Sequence, residues 1–199
     1  MLPQREGLAV HVRQLQEDDV VEIAGLRITS GPQTFLDLSA RLPSAELVAS
    51  GDALMRRGRL TVESIAERLG RASGVRGVVR ARACAPLLSA RAMSRPESLM
   101  RFWIVDAGLP APVVQMPIVD RWGNVVAHAD LGYEECKVAL EYEGRQHSEQ
   151  KQFGRDVDRY SLMAADGWLT LRFAARHLTG PNAVVDRTRR ALLSRGWRP

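Results

Sequence analysis

The chain has 199 residues, an apolar share of 45% and a formal net charge of +5 at pH 7, which is room for one large domain or a small domain with an extension. No run approaches the ~18–20 consecutive apolar residues of a membrane span and the N-terminus has no signal-peptide pattern, so no membrane partner is expected. Cys84 and Cys136 stand far apart without metal-ligand spacing, which argues against a disulfide framework and for a reducing cytoplasm.

In chain order, Leu8 to Leu15 and Asp19 to Thr29 read as short strands, with Ala24-Gly25 as a hairpin turn. Pro32 opens a helical pattern over Thr34 to Leu42, and Pro43-Ser44 restarts one through Met55. Thr61 caps a third helix, reaching about Leu69. Val75 to Cys84 is an Arg-studded helix, broken at Pro86 and resumed over Leu87 to Ala90. From Arg56 to Arg95 there are ten arginines against Glu63 and Glu67, an excess of eight positive charges (10 − 2) that exceeds the +5 of the whole chain. Arg76, Arg80 and Arg82 on this block are candidate phosphate contacts. A merely solvated helical surface is the other reading of the same residues.

Ser94-Arg95-Pro96-Glu97 has a helix-start signature, and the helix runs to Asp106, with Leu99, Phe102, Trp103 and Val105 as its core face. Strands follow over Pro112 to Val119, Asn124 to Leu131 and Cys136 to Glu143. Glu149 to Ala165 is an amphipathic helix through Phe153, Val157, Tyr160, Leu162 and Met163, Trp168 to Phe173 a fourth strand, and Ala183 to Leu193 a closing helix. Three antiparallel strands, a helix and a fourth strand predict an α/β (α+β) fold. Its four-stranded mixed sheet would be flanked by helices, with the second helix long enough for a crossover to a parallel neighbour. The boundary falls between residues 1–93, a hairpin-plus-helices extension, and residues 94–199, the sheet-bearing domain.

The chemistry concentrates between Asp130 and His147. Val138, Leu140 and Tyr142 alternate with Ala139, Glu141 and Glu143, the period of a half-buried strand. If the preceding turn is centred between Glu135 and Cys136, Asp130 lies directly opposite Glu141, with Cβ atoms roughly 4.5–5.5 Å apart. Like charges there repel, and a hard divalent cation such as Mg²⁺ would offset them. A looser loop over Gly132 to Glu135 would slide Asp130 away, and the two glutamates would then be the solvated face of an ordinary strand.

This order, with an acid on the first helix and acids on the second and third strands, resembles the PD-(D/E)XK nuclease core. L-E-Y-E-G-R-Q-H, then R-D-V-D-R-Y and G-W-L-T-L-R, looks more closely like the very-short-patch-repair-like (Vsr-like) endonucleases. That likeness covers Pro96 to about Leu178. Leu8 to Ala90 looks like the C-terminal part of AbiEi-type antitoxin proteins, in which a winged-helix domain usually comes first. None is seen here, which tells against an inherited transcription-factor role.

The resemblance implies a restriction-endonuclease-like fold and a DNA partner, with toxin–antitoxin or repair partners undefined. It makes Asp130 and Glu141 ligands of Mg²⁺ or Mn²⁺, and Glu97 an orienting acid for a second metal or its water. Glu143 stands where many members carry Asp and others the motif lysine, and this chain has no lysine there. His147 matches the family histidine, suited to proton transfer near neutrality. Arg145, Asp156 and Arg159 match polar positions around the site, with Arg145 and Arg159 as nucleic-acid contacts. Asp156 and Arg159 alone would be a surface ion pair. Trp168 and Arg172 read as core and edge packing, and His11, His128 and His177 as structural. The expected function is metal-dependent DNA endonuclease; the alternative is a non-catalytic DNA-binding or antitoxin-like regulator that keeps the fold.

Overall fold

The computed structural model describes residues 6–7, 10, 12, 14–120, 122–144 and 150–199, with the backbone alone for 150–156 and 158. The N-terminal part opens with an antiparallel hairpin, β1 (Val20–Ile23) and β2 (Leu26–Thr29), joined at Ala24 and Gly25. Both turn residues have positive φ, 51° and 77°, the backbone of a two-residue turn matched to strand twist. Of the expected strand over Leu8 to Leu15, the described residues Val10, Val12, Gln14 and Leu15 are not extended into any sheet.

Four helices follow: α1 (Gly31–Ser39), α2 (Ser44–Arg56), α3 (Val62–Gly70) and α4 (Val78–Cys84). Pro32 lies in the first turn of α1, so the helix starts there rather than at Thr34. Thr61 Oγ1 accepts from Ser64 N at 3.1 Å and Ser64 Oγ from Thr61 N at 3.0 Å, a reciprocal cap on α3. Expected from Val75, α4 begins at Val78 because Gly77 has φ 88°, a left-handed backbone that cannot continue a helix. Its bare Cα presses on α1, where a Cβ would lie 2.6 Å from Ala40 N. Nor does a helix resume after Pro86. A single 3₁₀ turn spans Ala85–Leu87, then Leu88 is extended and the Ser89 N–H donates to Asp52 Oδ1 at 2.7 Å instead of to a helix carbonyl.

The next helix, α5 (Arg95–Asp106), joins two cores. Ser94 Oγ caps it, accepting from Glu97 N at 3.3 Å. Phe102 packs with Phe35, Leu36, Leu47 and Val48 of the helical part. Met100 and Ile104 pack against the sheet, places the sequence reading gave in part to Val105, which is only half-buried. Buried Arg101 donates to Asp52 Oδ2 on α2 at 2.7 Å, and also to the Leu87 carbonyl, tying α5 to the N-terminal helices.

The sheet is four-stranded and mixed, in chain order β3 (Val113–Val119), β4 (Val125–Tyr133), β5 (Val138–Glu143) and β6 (Leu169–Ala174). The first three are antiparallel; β6 runs parallel to β5 after the crossover helix α6 (Gln150–Ala165). Leu131, Tyr133, Val138, Leu140 and Phe173 face α5 and the closing helix α7 (Asn182–Ser194). Ala129, Ala139 and Met116 face the other way, onto Met163 and Trp168. Tyr160 and Met163 form the inward stripe of α6, whereas Leu162, about 200° round the helix from Tyr160, is exposed, as is Val157. Among the described residues no helix is long and apolar enough to cross a membrane.

Candidate functional site

The strands β4 and β5 are paired up to Leu131 with Leu140, one residue short of Asp130 and Glu141, whose charges act on one another. The four-residue loop between Tyr133 and Val138, with Lys137 at φ 48°, therefore keeps the tighter of the two registers the sequence allowed. Here the ladder lapses. Asp130 Oδ2 accepts the Tyr142 N–H at 2.7 Å, filling with a carboxylate the place of a backbone carbonyl.

On the other side of β4, Gln115 occupies the gap in register between Val114 with Leu131 and Met116 with Ala129. Its φ is 51°, uncommon for a non-glycine residue. That backbone switches the face of β3: Val114 packs on the α5 and α7 side, Met116 on the α6 side. It also lets Gln115 Nε2 donate to Glu97 Oε2 at 2.9 Å, where the Met93 N–H donates as well, at 2.9 Å. Glu97 is only 4% exposed and lies in the first turn of α5, where the helix dipole favours a carboxylate.

Glu141 is 6% exposed. Its Oε2 accepts from Arg159 at 3.1 Å and from the Tyr160 hydroxyl, both supplied by α6. Its Oε1 is buried and has no hydrogen-bond partner among the described residues. Such an orphan acceptor costs about 1–3 kcal/mol unless something else satisfies it. The charge balance agrees. Burial pushes the Asp130 carboxyl up to about 6, with repulsion from Glu97 and Glu141 adding to it, against the opposing Tyr142 N–H and Arg159. Three carboxylates from α5, β4 and β5 are thus electrostatically coupled, and the described residues compensate them only in part.

The other expected site residues are placed differently where they are described. Glu143 is half-buried and paired with Arg172 of β6. Arg145 and His147 lie outside the described residues, as does the side chain of Asp156. Arg80 donates to the Ser39 and Leu42 carbonyls at 2.8 and 2.9 Å, closing the end of α1. Arg82 does the same for Leu69 and Ala72 behind α3, at 3.0 and 2.8 Å. Arg76 is exposed. Trp168 is in the core, His128 is exposed, and His177 Nδ1 accepts the Ala174 N–H at 2.9 Å. Arg172, on the edge strand β6, pairs with Glu143 and packs on the Tyr160 ring. Gln115, Tyr160 and Arg172 are the site neighbours that sequence reasoning did not find. For Gln115 the available signal was a single polar residue in V-V-Q-M-P-I-V.

Among the described residues, no group of three or more His, Cys, Asp or Glu side chains is set to hold a metal ion by itself. The donor set nevertheless suits Mg²⁺, which is commonly held by one or two carboxylates and completes its octahedron with water and substrate phosphate. Asp130 and Glu141 would hold it, the orphaned Oε1 of Glu141 being a ready oxygen donor.

The chain is similar, at 30% identity over 166 residues, to "Uncharacterized protein MT2308" of Mycobacterium tuberculosis strain CDC 1551 / Oshkosh. The same identity and length hold for "Uncharacterized protein Rv2248" of strain ATCC 25618 / H37Rv. The match takes in 81% of this chain and 59% of each relative, so the chain spans less than two thirds of their length. No family model and no solved structure matches.

Proposed function

We propose that this protein is a metal-dependent DNA endonuclease of the restriction-endonuclease-like type, with Asp130, Glu141 and Glu97 at its centre. The observation that carries the reading is the juxtaposition of these carboxylates at the point where β4 and β5 part, with a buried oxygen that has no partner among the described residues. A fold gains nothing from like charges held together out of water, and a polyanion-hydrolysing site has a use for them. When bound, a divalent cation supplies Lewis acidity to the phosphoryl group and lowers the pKa of the attacking water.

The chain's own groups do the rest. Asp130 and Glu141 present ligand oxygens, and Gln115 fixes Glu97 beside them. Arg159 and the Tyr160 hydroxyl set the orientation of Glu141. In the hydrolysis, a water oxygen bonds to phosphorus as one ester P–O bond breaks. The water's proton passes to a base, for which His147 is the candidate, and the leaving oxygen takes up a proton.

Electrostatic capture of the duplex is expected from the basic surface that includes Arg76. In a chelator, affinity for duplex DNA should fall steeply as salt rises, with log Kd changing linearly with log salt concentration, measured by fluorescence anisotropy. Arg76→Ala should weaken binding and reduce that slope by about 1. Binding insensitive to salt would speak for the solvated-surface reading of the arginine block. Specific binding without cleavage in any metal would favour the regulatory alternative.

A further inference from the structure

We propose that Arg172 contacts the scissile phosphate and supplies the positive charge that no lysine of β5 provides; this rests on the nuclease reading of the same site. By register Arg172 is the partner of Glu141 across the parallel β5–β6 ladder, so its side chain rises from the sheet directly beside the carboxylate centre. Leu169, Leu171 and Phe173 turn to the apolar core on one face of β6, leaving Arg172 on the face of Glu141 and Glu143.

Two contacts hold its guanidinium still. Nε donates to Glu143 Oε1, and one terminal nitrogen is ion-paired with the same oxygen. The guanidinium carbon also lies 4.5 Å from the centroid of the Tyr160 ring, whose hydroxyl is bonded to Glu141. Glu143 is therefore a positioning residue, aiming an arginine from the next strand beside Glu141. A guanidinium has five N–H groups in a fixed fork, and those two contacts use only one side of it. The side chain is 50% exposed, open to a phosphate oxygen arriving from solvent. Arginine suits this task because its planar fork matches phosphate oxygens and its charge is permanent.

A purely structural pair this exposed contributes little to stability, which separates the two roles. The test is single-turnover cleavage of duplex DNA in Mg²⁺ by wild type, Arg172→Ala, Arg172→Lys and Glu143→Gln, with DNA affinity in EDTA and Tm measured alongside. Arg172→Ala is expected to slow cleavage at saturating DNA by about 10²-fold, the scale of losing one charge-stabilising donor. It should weaken metal-free DNA binding less than tenfold and keep Tm within about 4 °C. Arg172→Lys should restore part of the rate, and Glu143→Gln should lower it less than Arg172→Ala, with Tm level. A wild type that cuts while Arg172→Ala keeps its full rate overturns this inference alone. So does a rate loss that merely tracks a fall in Tm or that lysine does not relieve. A wild type that cuts nothing overturns this inference together with the nuclease reading.

Discussion

Replacing Asp130 with Asn is expected to reduce Mg²⁺-dependent DNA cleavage by at least about 10³-fold, several kcal/mol of lost transition-state stabilisation. DNA binding in a chelator should stay level or tighten slightly, because a negative charge leaves the path of the phosphates. The same variant carries a second signature that needs no catalysis. In the metal-free protein Asp130 titrates at about 6 rather than 3.8, because burial and then Glu97 and Glu141 oppose its ionisation. A group whose carboxyl is harder to ionise when folded contributes stability in full below pH 3.8 and loses it as pH rises through about 6. Metal-free wild type should therefore lose stability across that window through this group. Asp130→Asn should flatten the profile and show an equal or higher Tm at pH 7.5, since the amide oxygen can still accept the Tyr142 N–H. A clear drop in Tm at that pH would make Asp130 an ordinary structural carboxylate.

The largest effect on folding is expected at Asp52, fully buried on α2 and bonded to Arg101 and to the Ser89 N–H, each at 2.7 Å. Asp52→Ala strands the Arg101 guanidinium without a counter-charge in a site that is itself almost closed to water. Breaking one half of a buried pair typically costs about 3–5 kcal/mol, a large part of the roughly 5–15 kcal/mol that holds a domain together. The urea midpoint should fall accordingly at constant m-value. Asp52→Asn, which keeps an acceptor for Ser89, should lose less than Asp52→Ala. Arg101 lies one turn beyond Glu97 on α5, so the damage should reach the acidic site as well. A change below about 1 kcal/mol in Asp52→Ala would mean that the seam is held by apolar packing alone.

The architecture was legible wherever one local rule dominated. Alternation in V-A-L-E-Y-E marked β5, Ser94 with Pro96 marked the start of α5, and the length of the helix after β5 marked a crossover to a parallel neighbour, which is β5 itself. The register predicted from a turn centred between Glu135 and Cys136 holds as far as Leu131 with Leu140, one residue short of Asp130 and Glu141. What escaped the sequence depended on tertiary contacts. Gly77 delays α4 because the backbone of α1 lies against it, and Asp52 takes the N–H that would have continued a helix past Pro86. Gln115 reaches Glu97 only through a left-handed backbone that no β-strand pattern announces. Arg80 and Arg82 looked like free surface charge because helix ends carry no mark of which distant side chain will close them. Arg172 read as edge packing, and it does lie on the edge strand, but its place beside Glu141 depends on β5 being the strand it pairs with.

The most direct measurement of the central claim is a metal titration of cleavage by the purified protein on duplex, nicked and mismatched DNA. With Mg²⁺ or Mn²⁺ added from a chelated start, wild type should cut at least one of these substrates at a rate that rises with metal and saturates, and EDTA should abolish it. Asp130→Asn and Glu141→Gln should remain at background across the whole titration. Cleavage of none of the three substrates by wild type at any metal concentration, or equal cleavage by Asp130→Asn, would contradict the account.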